Sequence, residues 1–148
     1  MIVEDKLMKY VVFKKRTENE VKNKCKMLKY NDEQTDEIIE YLKENGYIND
    51  ENYVDRYIKN VLRLKECSIR EIKIDLIKRG IDEDLIEKYI TEEVEEFEEN
   101  SAKNLARKKL KTMELDKVKR YLLNKGFTYS SISKAIDNLG DLEDNMNV

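Results

Sequence analysis

The side chains that could carry catalytic chemistry are scarce in this sequence. It contains no histidine, so the usual general base of hydrolases and a common zinc ligand are both missing. The two cysteines, Cys25 and Cys67, fit no CxxC spacing, and no histidine is present to activate them. The glutamates between Glu92 and Glu99 are typical of a solvated helix segment rather than an acid–base pair. The sequence therefore predicts no enzyme, no catalytic residue, no metal site and no cofactor.

Basic side chains are the remaining candidates for function, because they could bind an anionic partner. They cluster around three predicted helix starts, at corresponding places along the chain. The alternative interpretation is that they only neutralise neighbouring acidic segments, and the residues alone leave both interpretations open. The candidate partner-binding residues are Lys14, Lys15, Arg16, Arg63, Lys65, Arg70, Arg107, Lys108, Lys109 and Lys111.

Charged residues make up 41% of the 148 positions, and their signs alternate in blocks along the chain. The formal net charge is +5 over residues 1–30, −8 over 31–55, +4 over 59–79, −9 over 80–99 and +7 over 101–126. Solvated helix faces produce such blocks, and so does a periodic architecture in which every unit carries a basic and an acidic segment. The total charge is only −3, which argues against a simple nucleic-acid-binding protein.

The elements that position these residues are predicted to be helices. The chain has no proline and only four glycines, whereas sandwiches and barrels need frequent turns. Apolar residues recur with a helical period, for example along Ile86, Ile90, Val94 and Phe97. The predicted helices span residues 3–14, 17–29, 32–45, 50–65, 68–79, 82–98, 100–111, 115–125 and 129–139.

Two helix starts carry the same capping signal. Thr17 and Ser68 are each followed three residues later by glutamate, which predicts a capping box at both positions. Gly80 and Gly126 stand where a helix can end in the left-handed conformation, and Lys29 occupies the matching place in the first copy.

These signals belong to an internal repeat. The segment around Leu76 matches the chain 46 residues later at Leu122 and 51 residues earlier at Cys25, which predicts a buried Cys25. We therefore predict an all-α fold, an elongated and curved array of three tandem three-helix repeats. The predicted units are 1–48, 49–98 and 99–140, followed by a disordered acidic tail at 141–148.

Four motifs in the repeat resemble those of the RecX family, bacterial regulators of the RecA recombinase. Residues 46–54, GYINDENYV, resemble the family signature GYLDDxRFA, and residues 13–21 resemble its upstream RxRSExEL stretch. Residues 72–81 and 122–127 resemble IxxELxxKGI and YLxxKGF. Asn52 stands where the family usually has arginine, so we predict no binding role for it.

The resemblance implies a regulatory role in DNA repair, recombination and the SOS response. A RecX-like protein is expected to bind the groove of the RecA filament on single-stranded DNA. It would thereby inhibit ATP hydrolysis, strand exchange and coprotease activity. We expect a cytoplasmic monomer without a membrane segment, with weak direct contact to DNA as a further possibility. Two alternatives stay open: a helical module that binds DNA directly, and an α-solenoid adaptor for another protein.

Overall fold

The computed structural model describes the backbone of residues 3–146 and the side chains of residues 3–139. This part of the chain contains nine α-helices and no strand, which confirms the all-α prediction. The helices are α1 (Asp5–Phe13), α2 (Glu18–Met27), α3 (Asp32–Glu44), α4 (Asp50–Leu64), α5 (Ile69–Lys78), α6 (Glu83–Lys88), α7 (Glu92–Lys109), α8 (Leu115–Lys125) and α9 (Tyr129–Met146).

Buried apolar side chains form three separate cores along the chain. The first draws on residues 3–48, the second on residues 54–94 and the third on residues 102–139. Cys25 is fully buried in the first core, as its match to Leu76 predicts. Because each core is built from one contiguous stretch, the cores support the predicted division into three units, which we retain as a proposal.

The largest departure from the predicted helices lies between the second and third cores. The expected helices at 82–98 and 100–111 are replaced by the short α6, a turn, and an uninterrupted α7. Thr91 adopts an extended conformation at the start of α7, and acidic residues fill the first turn while basic residues fill the last. Helix α7 therefore crosses the predicted boundary at 98/99, contributing Val94 to one core and Ala102 to the next.

The C-terminal end also differs from the prediction. A disordered acidic tail was expected over 141–148, whereas α9 continues to Met146. Residues 147 and 148 of that expected tail lie outside the described residues.

The ends of α2, α5 and α8 share one turn geometry. Lys29, Gly80 and Gly126 have φ values of 64°, 83° and 97°, in the left-handed region. In each turn the amide of the next residue donates to the carbonyl five positions earlier, at 3.0–3.1 Å. Lys29 is the one non-glycine residue with positive φ among the described residues, so the first copy adopts this turn despite the strain on its Cβ.

Candidate binding surfaces at the two junctions

Two junctions connect the three cores, and the same hydrogen bond is found at both. We call the contact between the first and second cores the first junction, and that between the second and third cores the second junction. Thr17 Oγ1 donates to the Arg79 carbonyl, and Ser68 Oγ donates to the Lys125 carbonyl, each at 2.6 Å. Both hydroxyl-bearing residues are fully buried.

The two hydroxyls also cap their own helices. Thr17 Oγ1 accepts from the Glu20 amide and Ser68 Oγ from the Glu71 amide, each at 3.1 Å. The Glu20 carboxylate in turn accepts from the Thr17 amide, so the capping box predicted there is confirmed. At the second junction the Glu71 carboxylate does not accept from the Ser68 amide. Its Oε1 instead lies 3.4 Å from Lys125 Nζ across the junction. The prediction that Ser68 caps its helix is therefore right, and the prediction of a complete capping box there is wrong.

A carboxylate from a helix later in the chain completes each junction. Asp50 Oδ1 accepts from the Glu18 amide at 2.8 Å, and Glu98 Oε2 accepts from the Ile69 amide at 2.7 Å. Glu98 is buried and also accepts from Ser131 Oγ at 3.0 Å. Burial raises the pKa of the Asp50 carboxyl above its ordinary value, and the hydrogen bond from the Glu18 amide opposes that rise.

The first junction forms a cleft of about 230 Å³, lined by the α1–α2 loop, the α3–α4 loop, α4 and the residue that follows α5. We call it the basic cleft, because two of its basic side chains come from the loop before α2 and two come from the second unit. No carboxylate is among its lining residues, which are Lys15, Arg16, Gly46, Tyr47, Asn49, Asn52, Tyr53, Arg56, Tyr57, Asn60 and Arg79.

Two arginines of the basic cleft are held in place by tyrosines. The guanidinium of Arg16 lies 3.9 Å from the centre of the Tyr10 ring, and its Nε donates to the Tyr10 carbonyl at 3.1 Å. Arg79 lies 5.2 Å from the centre of the Tyr57 ring and donates to the Tyr53 hydroxyl. Such contacts fix the guanidinium orientation before any ligand arrives.

The Tyr57 hydroxyl is unsuited to acid–base chemistry. It donates to Asp75 Oδ2 at 2.8 Å, and burial together with this bond raises the pKa of Tyr57 far above its ordinary value. Tyr57 therefore stays a neutral donor at physiological pH and positions Asp75 instead of exchanging a proton.

The second junction has a cavity at the corresponding place, with a different charge. Its volume is about 400 Å³, and it is lined by three glutamates and a single lysine, Lys65. Four lining residues from the N-cap and body of α4 have counterparts 48 positions later: Asn49 with Phe97, Asn52 with Asn100, Tyr53 with Ser101, and Arg56 with Asn104. The glutamates are Glu66, Glu93 and Glu96.

The predicted basic residues do not form one patch. Lys15 and Arg16 line the basic cleft, whereas Lys65 lines the cavity of the second junction. Lys14, Arg63, Arg107 and Lys111 are exposed. The other three are engaged locally: Arg70 packs against Gly126, Lys108 Nζ pairs with Glu66 at 3.1 Å, and Lys109 lies 4.8 Å from the Tyr121 ring centre.

Two large apolar side chains stand beside the exposed basic residues. Phe13 at the end of α1 is 84% exposed, and Leu64 at the end of α4 is 70% exposed. They are 51 positions apart, the same shift that relates Thr17 to Ser68. Single exposed apolar side chains are ordinary on a protein surface, but their recurrence at matching helix ends beside basic residues makes Phe13 and Leu64 candidate partner contacts.

Sequence reasoning missed the second-unit half of the basic cleft. Arg56 and Arg79 were not among the predicted residues, and Asn52 was set aside, yet all three line the cleft. The available signal was the spacing of Asn52, Arg56 and Asn60, which places them on one face of α4.

Similarity to known proteins agrees with the motifs. Regulatory protein RecX of Clostridium beijerinckii (strain ATCC 51743 / NCIMB 8052) is 33% identical in an alignment of 130 residues that covers 82% of this chain and 60% of that protein. Regulatory protein RecX of Clostridium perfringens (strain 13 / Type A) is 34% identical in an alignment of 137 residues that covers 86% of this chain and 64% of that protein. The crystal structure of RecX from Lactobacillus salivarius superposes with a TM-score of 0.82 at 27% identity, covering 92% of this chain and 93% of that one. The resemblance to the RecX family is confirmed.

The RecX similarity covers most of this chain but only part of its curated relatives. This RecX-like chain spans between 52% and 64% of the length of the curated relatives it matches. No family model matches it. A second RecX crystal structure, at 24% identity and a TM-score of 0.80, supports the fold alone. No helix among the described residues is long and apolar enough to cross a membrane, and these residues contain no cluster of three or more candidate metal ligands.

Proposed function

We propose that this chain is a cytoplasmic, monomeric, non-enzymatic regulator that binds the RecA filament on single-stranded DNA and inhibits its ATPase, strand-exchange and coprotease activities. The similarity to proteins named regulatory protein RecX supports the regulatory role. A filament repeats its binding surfaces along its axis, so a ligand with repeated surface features can contact neighbouring subunits.

One observation carries the proposal: an exposed apolar residue followed by lysine occurs at the ends of both α1 and α4. Phe13 precedes Lys14 and Lys15, and Leu64 precedes Lys65. The apolar side chains favour a protein partner, because backbone-directed DNA binding relies on basic and polar groups. The lysines favour acidic surfaces on that partner.

Charge reversal of Lys14, Arg63 and Lys65 to glutamate tests this proposal. All three are exposed, so the variant should keep its helicity and melting temperature. We expect its binding to RecA filaments to weaken at least tenfold and the remaining binding to depend less on salt, since exposed charges are screened within about 8 Å at 0.15 M.

A matched control carries the same charge change elsewhere. Lys26, Lys117 and Lys119 are also exposed and lie outside the proposed surface. Their reversal to glutamate should leave filament binding nearly unchanged. Equal loss in both variants would show that only the net charge matters, and tight binding to bare DNA by the unmodified protein would favour the direct DNA-binding alternative.

A further inference from the structure

The basic cleft has an excess of positive charge that its own neighbours do not neutralise. Lys15, Arg16, Arg56 and Arg79 line it without a carboxylate among the lining residues. Glu20 pairs with one of these cations, its Oε2 lying 3.9 Å from Arg16 Nη1, while its other oxygen accepts from the Thr17 amide. Asp75 lies behind the lining residue Tyr57 and accepts its hydroxyl hydrogen. Four cations around one cleft repel each other, so an anion that enters would be bound favourably.

The arginines are arranged to bind an oxyanion with little loss of conformational freedom. Tyr10 holds Arg16, and Tyr53 and Tyr57 hold Arg79, whereas Arg56 and Lys15 are exposed and able to close over a ligand. Arginine binds phosphate through two parallel N–H donors, which lysine cannot do. A pre-oriented guanidinium loses less entropy on binding.

The remaining wall of the cleft suits a planar, polar ring. Asn52 and Asn60 lie one turn on either side of Arg56 on α4 and provide amide donors and acceptors. Tyr47 and Tyr53 add half-buried aromatic rings. Amides read the edges of nucleobases, and tyrosine rings stack on their faces.

We propose that the basic cleft binds a nucleoside phosphate, with the phosphate between the arginines and the base against the amide and tyrosine wall. At about 230 Å³ the cleft is smaller than the roughly 300–1,000 Å³ that enclose a whole drug-sized ligand, so it holds the phosphate and one ring with the rest in solvent. The ligand is either a free nucleotide or one nucleotide of a single strand.

The second junction shows that this charge is specific to the first. There the cavity has Asn104 where the basic cleft has Arg56, and Glu66 lies 51 positions after Lys15. The junction hydrogen bonds are the same, so the basic lining is not a by-product of how two units join.

The test is a calorimetric titration of the full chain, in the absence of RecA, with dAMP, deoxyadenosine, inorganic phosphate and an oligo-dA tetranucleotide. We expect dAMP to bind, deoxyadenosine to bind at least tenfold more weakly, and added salt to weaken dAMP binding. If the cleft is specific for free nucleotides, dAMP should bind at least as tightly as the tetranucleotide. If the cleft binds a nucleotide within a strand, the tetranucleotide should bind more tightly than dAMP.

Arg56→Asn introduces the residue that the second junction has at the matching position and should weaken dAMP binding at least tenfold. Arg120→Asn is the matched control, because Arg120 is an exposed arginine of α8 that does not line the cleft, and it should bind dAMP normally. If Arg56→Asn fails to fold, Lys15→Gln in the loop before α2 is the second cleft variant, and its dAMP binding is measured instead.

Three results would overturn the proposal. They are undiminished dAMP binding in both cleft variants, equal binding of dAMP and deoxyadenosine, and tighter binding of a polyglutamate peptide than of any nucleotide. Because RecA is absent throughout, none of these results bears on filament regulation, and loss of filament regulation would not bear on the cleft.

Discussion

At the first junction Thr17 donates its hydroxyl hydrogen to the Arg79 carbonyl, and at the second Ser68 donates to the Lys125 carbonyl at the same distance. The cavities beside these bonds differ: Arg56 lines the first, and Asn104 takes its place in the second. The joint depends on a hydroxyl, a backbone carbonyl and a glycine turn. The lining side chains make none of these contacts, so one joint can carry a basic cleft and the other an acidic cavity.

The largest effect is expected from filling the space at the two glycine turns. A Cβ on Gly80 would overlap the Asn19 side chain, and one on Gly126 would lie 2.8 Å from Arg70 Cβ. We predict that Gly80→Ala lowers the free energy of unfolding by about 3 kcal/mol or more, and Gly126→Ala by somewhat less.

Gly46→Ala is the control for backbone strain alone. Gly46 has a φ of 76°, but nothing lies within 4 Å of an added Cβ, so the expected loss is only about 1–2 kcal/mol. Urea denaturation measures all three, and an equal loss at Gly46 and Gly80 would mean that the close approach to Asn19 contributes nothing.

Removing the junction hydroxyls should lower the free energy of unfolding by less than Gly80→Ala does, and by about the same amount at both junctions. Thr17→Ala and Ser68→Ala each lose a helix cap and a buried hydrogen bond, for an expected loss of about 1–3 kcal/mol. Thr17→Ser and Ser68→Thr keep the hydroxyl and should lose much less. A large effect at one joint with none at the other would contradict their equivalence.

The turn that ends α2 offers a test in the opposite direction. Lys29 has a φ of 64° where the other two units have glycine. Lys29→Gly should therefore stabilise the chain by about 0.5–1 kcal/mol, because relief of Cβ strain exceeds the greater chain entropy of glycine in the unfolded state. Thermal unfolding measures this, with Lys26→Gly inside α2 as a destabilising control.

The smallest effect concerns Cys67, which lies 51 positions after Arg16. It is buried, and burial raises the pKa of its thiol to about 11. The thiol should therefore stay protonated at pH 8 and react with an aromatic disulfide far more slowly than in urea. Fast reaction in the folded protein, measured in a Cys25→Ala background, would show that the second junction opens readily.

The local features of the two junctions can be predicted from the sequence, whereas the basic cleft that forms between two units cannot. Thr17, Ser68 and the glycine turns follow from capping signals, because such signals depend on a few neighbouring residues. The basic cleft does not, since Lys15, Arg56 and Arg79 are brought together only by the packing of two units.

The break between α6 and α7 was missed for a different reason. The apolar residues Ile86, Ile90, Val94 and Phe97 keep their helical spacing through the turn, and neither proline nor glycine marks it. Periodicity therefore cannot detect the break, and Thr91 is its one local signal.

The central claim is tested most directly by RecA ATPase activity on single-stranded DNA with this protein titrated in. We predict inhibition that saturates with added protein, and at least tenfold weaker inhibition by the double variant Phe13→Ala, Leu64→Ala, since both side chains are exposed and contribute little to folding. Val12→Ala, which removes an exposed apolar side chain outside the repeated pair, should inhibit like the unmodified protein. Unchanged ATPase activity at saturating protein would contradict the account.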